Sequence, residues 1–155
     1  MRVAVQSEAF DPADLLRQLT ADRSDAGGVV SFTGLVRADR DDAVAALELQ
    51  SYPGFTEAAI GAAAEAVVRD LALLDLVVVH RIGRMAPGEP IVFVGAAATH
   101  RRAAFQGADR MMDYLKTSAP FWKLEHVRTG ERRWIEPRAE DHADAARWAS
   151  PPEQT

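Results

Sequence analysis

At 155 residues, with 48% apolar and 26% charged side chains, the chain has the size and makeup of one folded domain rather than of a disordered segment. It contains no cysteine, which excludes disulfides, thiolate metal sites and a cysteine nucleophile. The formal net charge of −5 argues against general nucleic-acid binding. The opening MRVAVQSEAFDPAD lacks a signal-peptide core, and the longest apolar run, Ile91 to Ala98, is too short to span a bilayer. A cytoplasmic protein is expected.

Val3 to Val5 reads as a short strand, and Asp11-Pro12 then opens a helix to about Thr20, with Asp11 as its N-cap. After the loop ADRSDAGG, the β-branched run VVSFTGLVR and the alternating run Val44 to Tyr52 read as two strands. An acidic, mobile tip, ADRDD, would join them as a hairpin. Pro53-Gly54 breaks the chain before a helix from about Thr56 to Leu73, in which Ile60, Ala63, Ala64, Val67, Val68 and Leu71 recur at helical spacing. Leu76 to Ile82 and Ile91 to Ala97 are unbroken apolar runs, as expected of strands covered on both faces, with GRMAPGEP as the turn between them. Thr99 is placed to N-cap a helix running to about Lys116 or Thr117, stopped by Pro120. FWKLEHV and RRWIE form a last hairpin around Thr129-Gly130. Residues 1–148 read as one domain, and 149–155 as a disordered tail. Hairpins without a βαβ series predict an α+β fold with about three helices and a mixed or antiparallel sheet.

Phosphate-loop, dinucleotide and nucleophile-elbow motifs are absent. His80, His100, His126 and His142 are not at metal-ligand spacing, so neither a metal nor another cofactor is expected. Charge is uneven, however: His100 to Arg138 carries a formal +4 and the remainder −9, which suits a local anion site. The plain alternative is a basic helix and hairpin facing solvent. His100 and Arg101 fall in the first turn of a helix, where unpaired N–H groups and the dipole favour an anion.

Sixteen arginines stand against two lysines, Lys116 and Lys123. Where only charge is needed this chain takes arginine, so the two lysines point to amine chemistry, which arginine cannot supply because it does not readily release its proton. Strand alternation puts Phe121, Lys123 and Glu125 on one face and Trp122 and Leu124 on the other. Burial and a neighbouring ammonium would both lower a lysine pKa toward the range of an acid, base or nucleophile. A helix C-terminus acts oppositely on Lys116.

The strings GGVVSFTGLVR, LELQSYPGFTE, VVVHRIGRMAPGEPIVFVG, THR and MDYLKTSAPFWKLE together resemble the catalytic (large) subunit of molybdopterin synthase, over about Gly27 to Arg138. The resemblance implies an α/β-hammerhead type of fold and a sulfurtransferase. Such an enzyme converts cyclic pyranopterin monophosphate to the dithiolene of molybdopterin. The sulfur would come from a thiocarboxylate on the C-terminal Gly-Gly of a small ubiquitin-like subunit, and a central homodimer would carry two such partners in a heterotetramer. By matching position, Lys116 and Lys123 would be catalytic, with their individual roles interchangeable at this stage. Arg37, His100, Arg101 and Arg138 would line the substrate pocket, completed across the dimer, and Glu125 falls within the binding string. Leu35 and Leu124 stand where the family often has a basic residue, which implies altered anion contacts. A non-catalytic module for a ubiquitin-like tail and an unrelated phosphate-ester enzyme are the alternatives.

Overall fold

A computed structural model describes residues 1–38 and 43–149. Eight strands and four helices follow in chain order among these residues: β1 (Arg2–Gln6), α1 (Pro12–Thr20), β2 (Gly28–Leu35), β3 (Val44–Ser51), α2 (Phe55–Leu71), β4 (Asp75–Arg81), β5 (Gly83–Met85), β6 (Pro90–Ala98), α3 (Arg101–Thr117), β7 (Phe121–Val127), β8 (Arg132–Ile135) and α4 (Ala139–Ala146). They form two four-stranded sheets, ordered β1-β4-β6-β2 and β5-β3-β7-β8. Only the β1–β4 pairing is parallel. The fold is α+β, as expected.

The first sheet carries the core. Alternation along β4 sends Leu76 and Val78 to one face and Val77 and Val79 to the other. The first pair packs with Ile60, Ala64 and Val67 of α2 and Ala104, Ala108 and Met111 of α3. The second packs under Leu15 and Leu19 of α1. The two apolar runs are therefore central strands with helices on both faces, as their composition predicted. Gly107 permits the close seating of α3, because a β-carbon there would come within 2.7 Å of Leu73. Asp11 caps α1 as expected, its carboxylate accepting the Ala13 N–H at 2.8 Å.

Four expectations are corrected. β2 and β3 are not a hairpin: β2 pairs with β6, and β3 lies in the other sheet between β5 and β7. Their parting follows a bulge at Gly34/Leu35, after which buried Val36 bonds through its N–H to Glu89 (2.9 Å) and through its carbonyl to Gly88 (2.8 Å). Those bonds hold the chain against the β5–β6 turn instead of letting it fold back. Most of the acidic tip, residues 39–42, lies outside the described residues, as does the tail from 150 to 155. The GRMAPGEP segment is more than a turn, since its first residues form β5 and pair with Leu47 to Leu49 of β3. Thr99 is not the cap of α3; the cap position is His100, without a side-chain bond, because β6 keeps the chain extended through Ala98. Finally, α4 is a fourth helix.

The turn between α3 and β7 is fastened from α2. Thr56, fully buried, donates its hydroxyl to the Pro120 carbonyl at 3.1 Å and accepts the Tyr52 N–H at 2.9 Å. Tyr114 on α3 donates to the Ala59 carbonyl at 3.1 Å. Replacing Thr56 by valine keeps the shape but removes both hydrogen bonds, to the Pro120 carbonyl and from the Tyr52 N–H, at a cost of about 2 kcal/mol. Thermal unfolding of Thr56→Val should show a midpoint several degrees below wild type; an unchanged midpoint would refute this role.

Candidate active site

Helix α3 buries Ala104, Gly107, Ala108, Met111 and Leu115 along one stripe, which leaves Lys116 at the helix edge in the last turn. Its cationic end suits that position, where the carbonyl end of the helix is negative. The Ser118 and Ala119 N–H groups close the helix on the Tyr114 carbonyl, and Pro120 forbids another turn. Strand β7 then starts at once, bringing Lys123 back toward Lys116.

Two adjoining hollows lie between β2, β3, β7 and the end of α3. One, of about 370 Å³, is lined by Leu35, Arg37, Lys116, Glu125 and Arg138 among others. The second, of about 340 Å³, is lined by Phe32, His80, Met112, Lys116, Lys123 and further apolar side chains. Leu35, Leu47, Ile91, Lys116 and Ile135 border both. The structure thus gathers Arg37, Lys116, Lys123, Glu125 and Arg138 around one cleft. The opposite face of β7 carries exposed Trp122, edge-on to Tyr52 and to Trp134 of β8, so the alternation expected along FWKLE is present.

His100 and Arg101 are not in this cleft. They border a separate exposed hollow with Arg102, Phe105 and Gln106. Arg101 opens α3 and Lys116 lies in its last turn, which sets them roughly 22 Å apart along the helix at about 1.5 Å per residue.

The two lysines sit in different surroundings. Lys116 is 55% exposed and donates to Asp141 of α4 at 2.9 Å. Lys123 is half-buried, and burial pushes its pKa below the ordinary lysine value; the nearby charge of Lys116 adds to the fall and Asp141 opposes it. Asp141 is itself held low, first by the Lys116 hydrogen bond and then by the Arg138 N–H. Glu125 lies 3.5 Å from Arg133, which leaves a balanced acid on the wall rather than a free one.

His80 and Asp141 are site residues that sequence reasoning missed. His80 is 4% exposed, stacks on Phe121 with ring centroids 4.2 Å apart, and has Nδ1 3.0 Å from the Arg81 carbonyl. Since a carbonyl only accepts, Nδ1 carries the hydrogen and Nε2 is a bare acceptor. Burial, opposed by the Arg81 carbonyl bond and joined by the charge of Lys123, pushes the His80 pKa down to about 4, so the ring is neutral at pH 7. Its position in HRIG was the available signal. For Asp141 the signal was Pro137-Arg138 followed by acidic residues, a helix start that the polar sequence disguised.

The class these features define is an α+β protein with a two-lysine, anion-attracting cleft. Among the described residues no three acidic or histidine side chains cluster as a metal site, and no helix is long and apolar enough to cross a membrane. The family model of the MoaE protein matches residues 5–118. A molybdopterin synthase catalytic subunit from Caulobacter vibrioides is 51% identical over 148 residues, 96% of this chain and 97% of that one. Among solved structures, the molybdopterin biosynthesis MoaE protein from Burkholderia ambifaria aligns with a TM-score of 0.80 at 40% identity, covering 97% of this chain and 99% of the other. A complex of subunits 1 and 2 of molybdopterin-converting factor from Helicobacter pylori aligns at 0.73 with 21% identity, over 88% and 91% of the two chains, a likeness of fold. The chain belongs to the MoaE family, the molybdopterin synthase catalytic subunits, which are enzymes of molybdenum cofactor biosynthesis.

Because His80 is buried and neutral, its proton uptake opposes folding. The unfolded chain binds that proton near pH 6.5 and the native one only near 4, so stability is full above about 6.5 and falls as pH drops through that window. The loss amounts to about 3 kcal/mol. Urea unfolding of His80→Asn, which keeps a donor near Nδ1, should show a shallower decline between pH 7 and 4 than wild type. Parallel curves would count against the assignment.

Proposed function

We propose that this chain transfers sulfur from a thiocarboxylate on the C-terminal Gly-Gly of a small ubiquitin-like subunit to cyclic pyranopterin monophosphate, forming the dithiolene of molybdopterin. The observation that carries the reading is the convergence of its only two lysines on one cleft rimmed by Arg37 and Arg138. Both reactants are anions, one a phosphate and the other a thiocarboxylate, and a cationic hollow in an acidic protein attracts both. The walls contributed by Leu47, Leu49, Ile91 and Ile135 exclude water, which strengthens each charge-assisted contact inside.

In this reading Arg37 and Arg138 hold the phosphate at the outer hollow, and exposed Leu35 forms an apolar lip where relatives often place a further cation. The carrier tail enters toward Lys116 and Lys123. Sulfur forms its new bond to a pterin carbon as that carbon gives up a bond to oxygen, which leaves as water or with the phosphate, and the bond from sulfur to the carrier's acyl carbon breaks; water supplies the oxygen of the departing carboxylate. The lysines stabilise the charge that moves and relay the protons. A dithiolene has two sulfurs, so two carriers must be spent in succession. The Helicobacter pylori complex, which joins two different subunits, supports a partnered enzyme.

His100 and Arg101 enter the reading only through a second copy, because α3 holds them too far from Lys116 in their own chain. A homodimer that sets one copy's α3 start beside the other's cleft would bring a guanidinium and an imidazole to the phosphate, within a heterotetramer of two large and two small subunits.

Reconstitution with thiocarboxylated small subunit and the pterin precursor provides the test. Lys116→Ala and Lys123→Ala should each fold normally and form product more slowly by at least about a hundredfold. Mixing unfolded-and-refolded Lys116→Ala with Arg101→Ala should restore part of the activity, since some hybrid dimers regain one intact cleft. Wild-type turnover by either lysine variant defeats the catalytic assignment, and no recovery on mixing defeats the shared site.

A further inference from the structure

Helix α4 buries none of its residues, so polar bonds rather than apolar packing hold it against α3. At its far end Arg147 reaches Asp109 (2.9 Å) and Asp113 (2.8 Å), and Trp148 Nε1 donates to Asp113 at 2.6 Å. At its start one side chain makes both connections. Asp141 Oδ2 accepts the Arg138 N–H at 3.0 Å, and Oδ1 accepts Lys116 Nζ at 2.9 Å. The same carboxylate therefore fixes the helix start that presents Arg138 to the outer hollow and grips the ammonium on the cleft edge.

Resting on the sulfur-transfer reading, we propose that Asp141 is a positioning residue that divides the work of the two lysines, holding Lys116 as the standing cation of the cleft and leaving Lys123 to exchange the proton. The asymmetry is geometric. Lys116 is exposed and has an anionic partner in contact; Lys123 is half-buried, and its ladder neighbours are apolar, Leu49 on β3 and Ile135 on β8. The titratable groups acting on Lys123 are Lys116 from α3, Asp141 from α4 and His80 from β4, with Glu125 farther along its own strand and Arg37 and Arg138 in the adjoining hollow. His80 is neutral at working pH and leaves this balance to the other two. Lys116 weakens the hold of Lys123 on its proton, and Asp141 partly restores it. A cation that stays charged suits the binding of carrier and adduct. An amine whose proton is loosely held suits the transfer step.

The chain's two lysines make the test direct, because selective 13C labelling of lysine gives only two side-chain ε signals, assigned with Lys116→Arg. Asp141→Asn keeps an oxygen to cap α4 but removes the charge. Its Lys123 signal should titrate at lower pH than in wild type, since Lys116 then acts unopposed. In the reconstituted reaction kcat should fall about tenfold because Lys116 loses the ion pair that fixes it, with the rising limb of the pH profile displaced to lower pH by the change at Lys123. Arg147→Ala, which removes the ion pairs at the other end of α4 and leaves Asp141 charged, separates electrostatics from docking and should leave the Lys123 titration near wild type. An unmoved or raised Lys123 midpoint in Asp141→Asn, or the same displacement in Arg147→Ala, overturns the inference. Failure of the wild type to form product would strike the function itself, whereas the titration reads Asp141 independently of turnover.

Discussion

A single buried hydroxyl governs how far apart the two amines stand. Thr56 ties the carbonyl of Pro120 to the start of α2, and Pro120 is the point at which the chain stops being helix and becomes strand. Lys116 lies just before this corner and Lys123 just after it. The first lysine inherits its direction from the phase of α3, the second from the pleat of β7. Only a fixed corner turns those two local directions into one shared cleft. Burial of Thr56 makes the fastening strong, since its hydroxyl has no water to turn to in place of these partners.

The two sheets divide the labour around that corner. The β1-β4-β6-β2 sheet is sandwiched between α1 and the α2–α3 pair, and supplies most of the apolar burial. The β5-β3-β7-β8 sheet has a smaller core of Val36, Leu49 and Met85, and bears charged and aromatic residues at high density. The cleft opens where they meet, so its floor is rigid while its rim consists of long cationic side chains. His80 spans the boundary: it belongs to a central strand of the first sheet, yet its ring rests on Phe121 of the second.

What could be read from the sequence was mainly what is local. The stripes of α2 and α3, the apolar runs of β4 and β6, the cap at Asp11 and the last hairpin depend on near neighbours, and each stands within a residue or two of its expected limits. The two lysines also announced themselves, through scarcity and through the helix-turn-strand that separates them. Pairing over distance was less legible. β2 and β3 looked like a hairpin because both alternate, but nothing in either run reveals that Val36 is held by the β5–β6 turn and that β3 then crosses to another sheet. Helix α4 lacks an apolar stripe and so gave no periodic signal; its Asp141 clamp is visible only in three dimensions. Likewise, His100 to Arg138 reads as one basic segment, whereas within a single chain α3 sets its start, at His100 and Arg101, far from Lys116.

The positions of the three tryptophans give the molecule optical handles of its own. Trp122 and Trp134 meet edge to face on the back of the strand whose front carries Lys123, while Trp148 is bonded to Asp113 at the end of α4. Emission from the first two senses the strand from behind the cleft without obstructing it, and emission from the third senses whether the last helix is seated. Partner docking and helix release would thus colour the spectrum from separate sources, with no foreign dye attached.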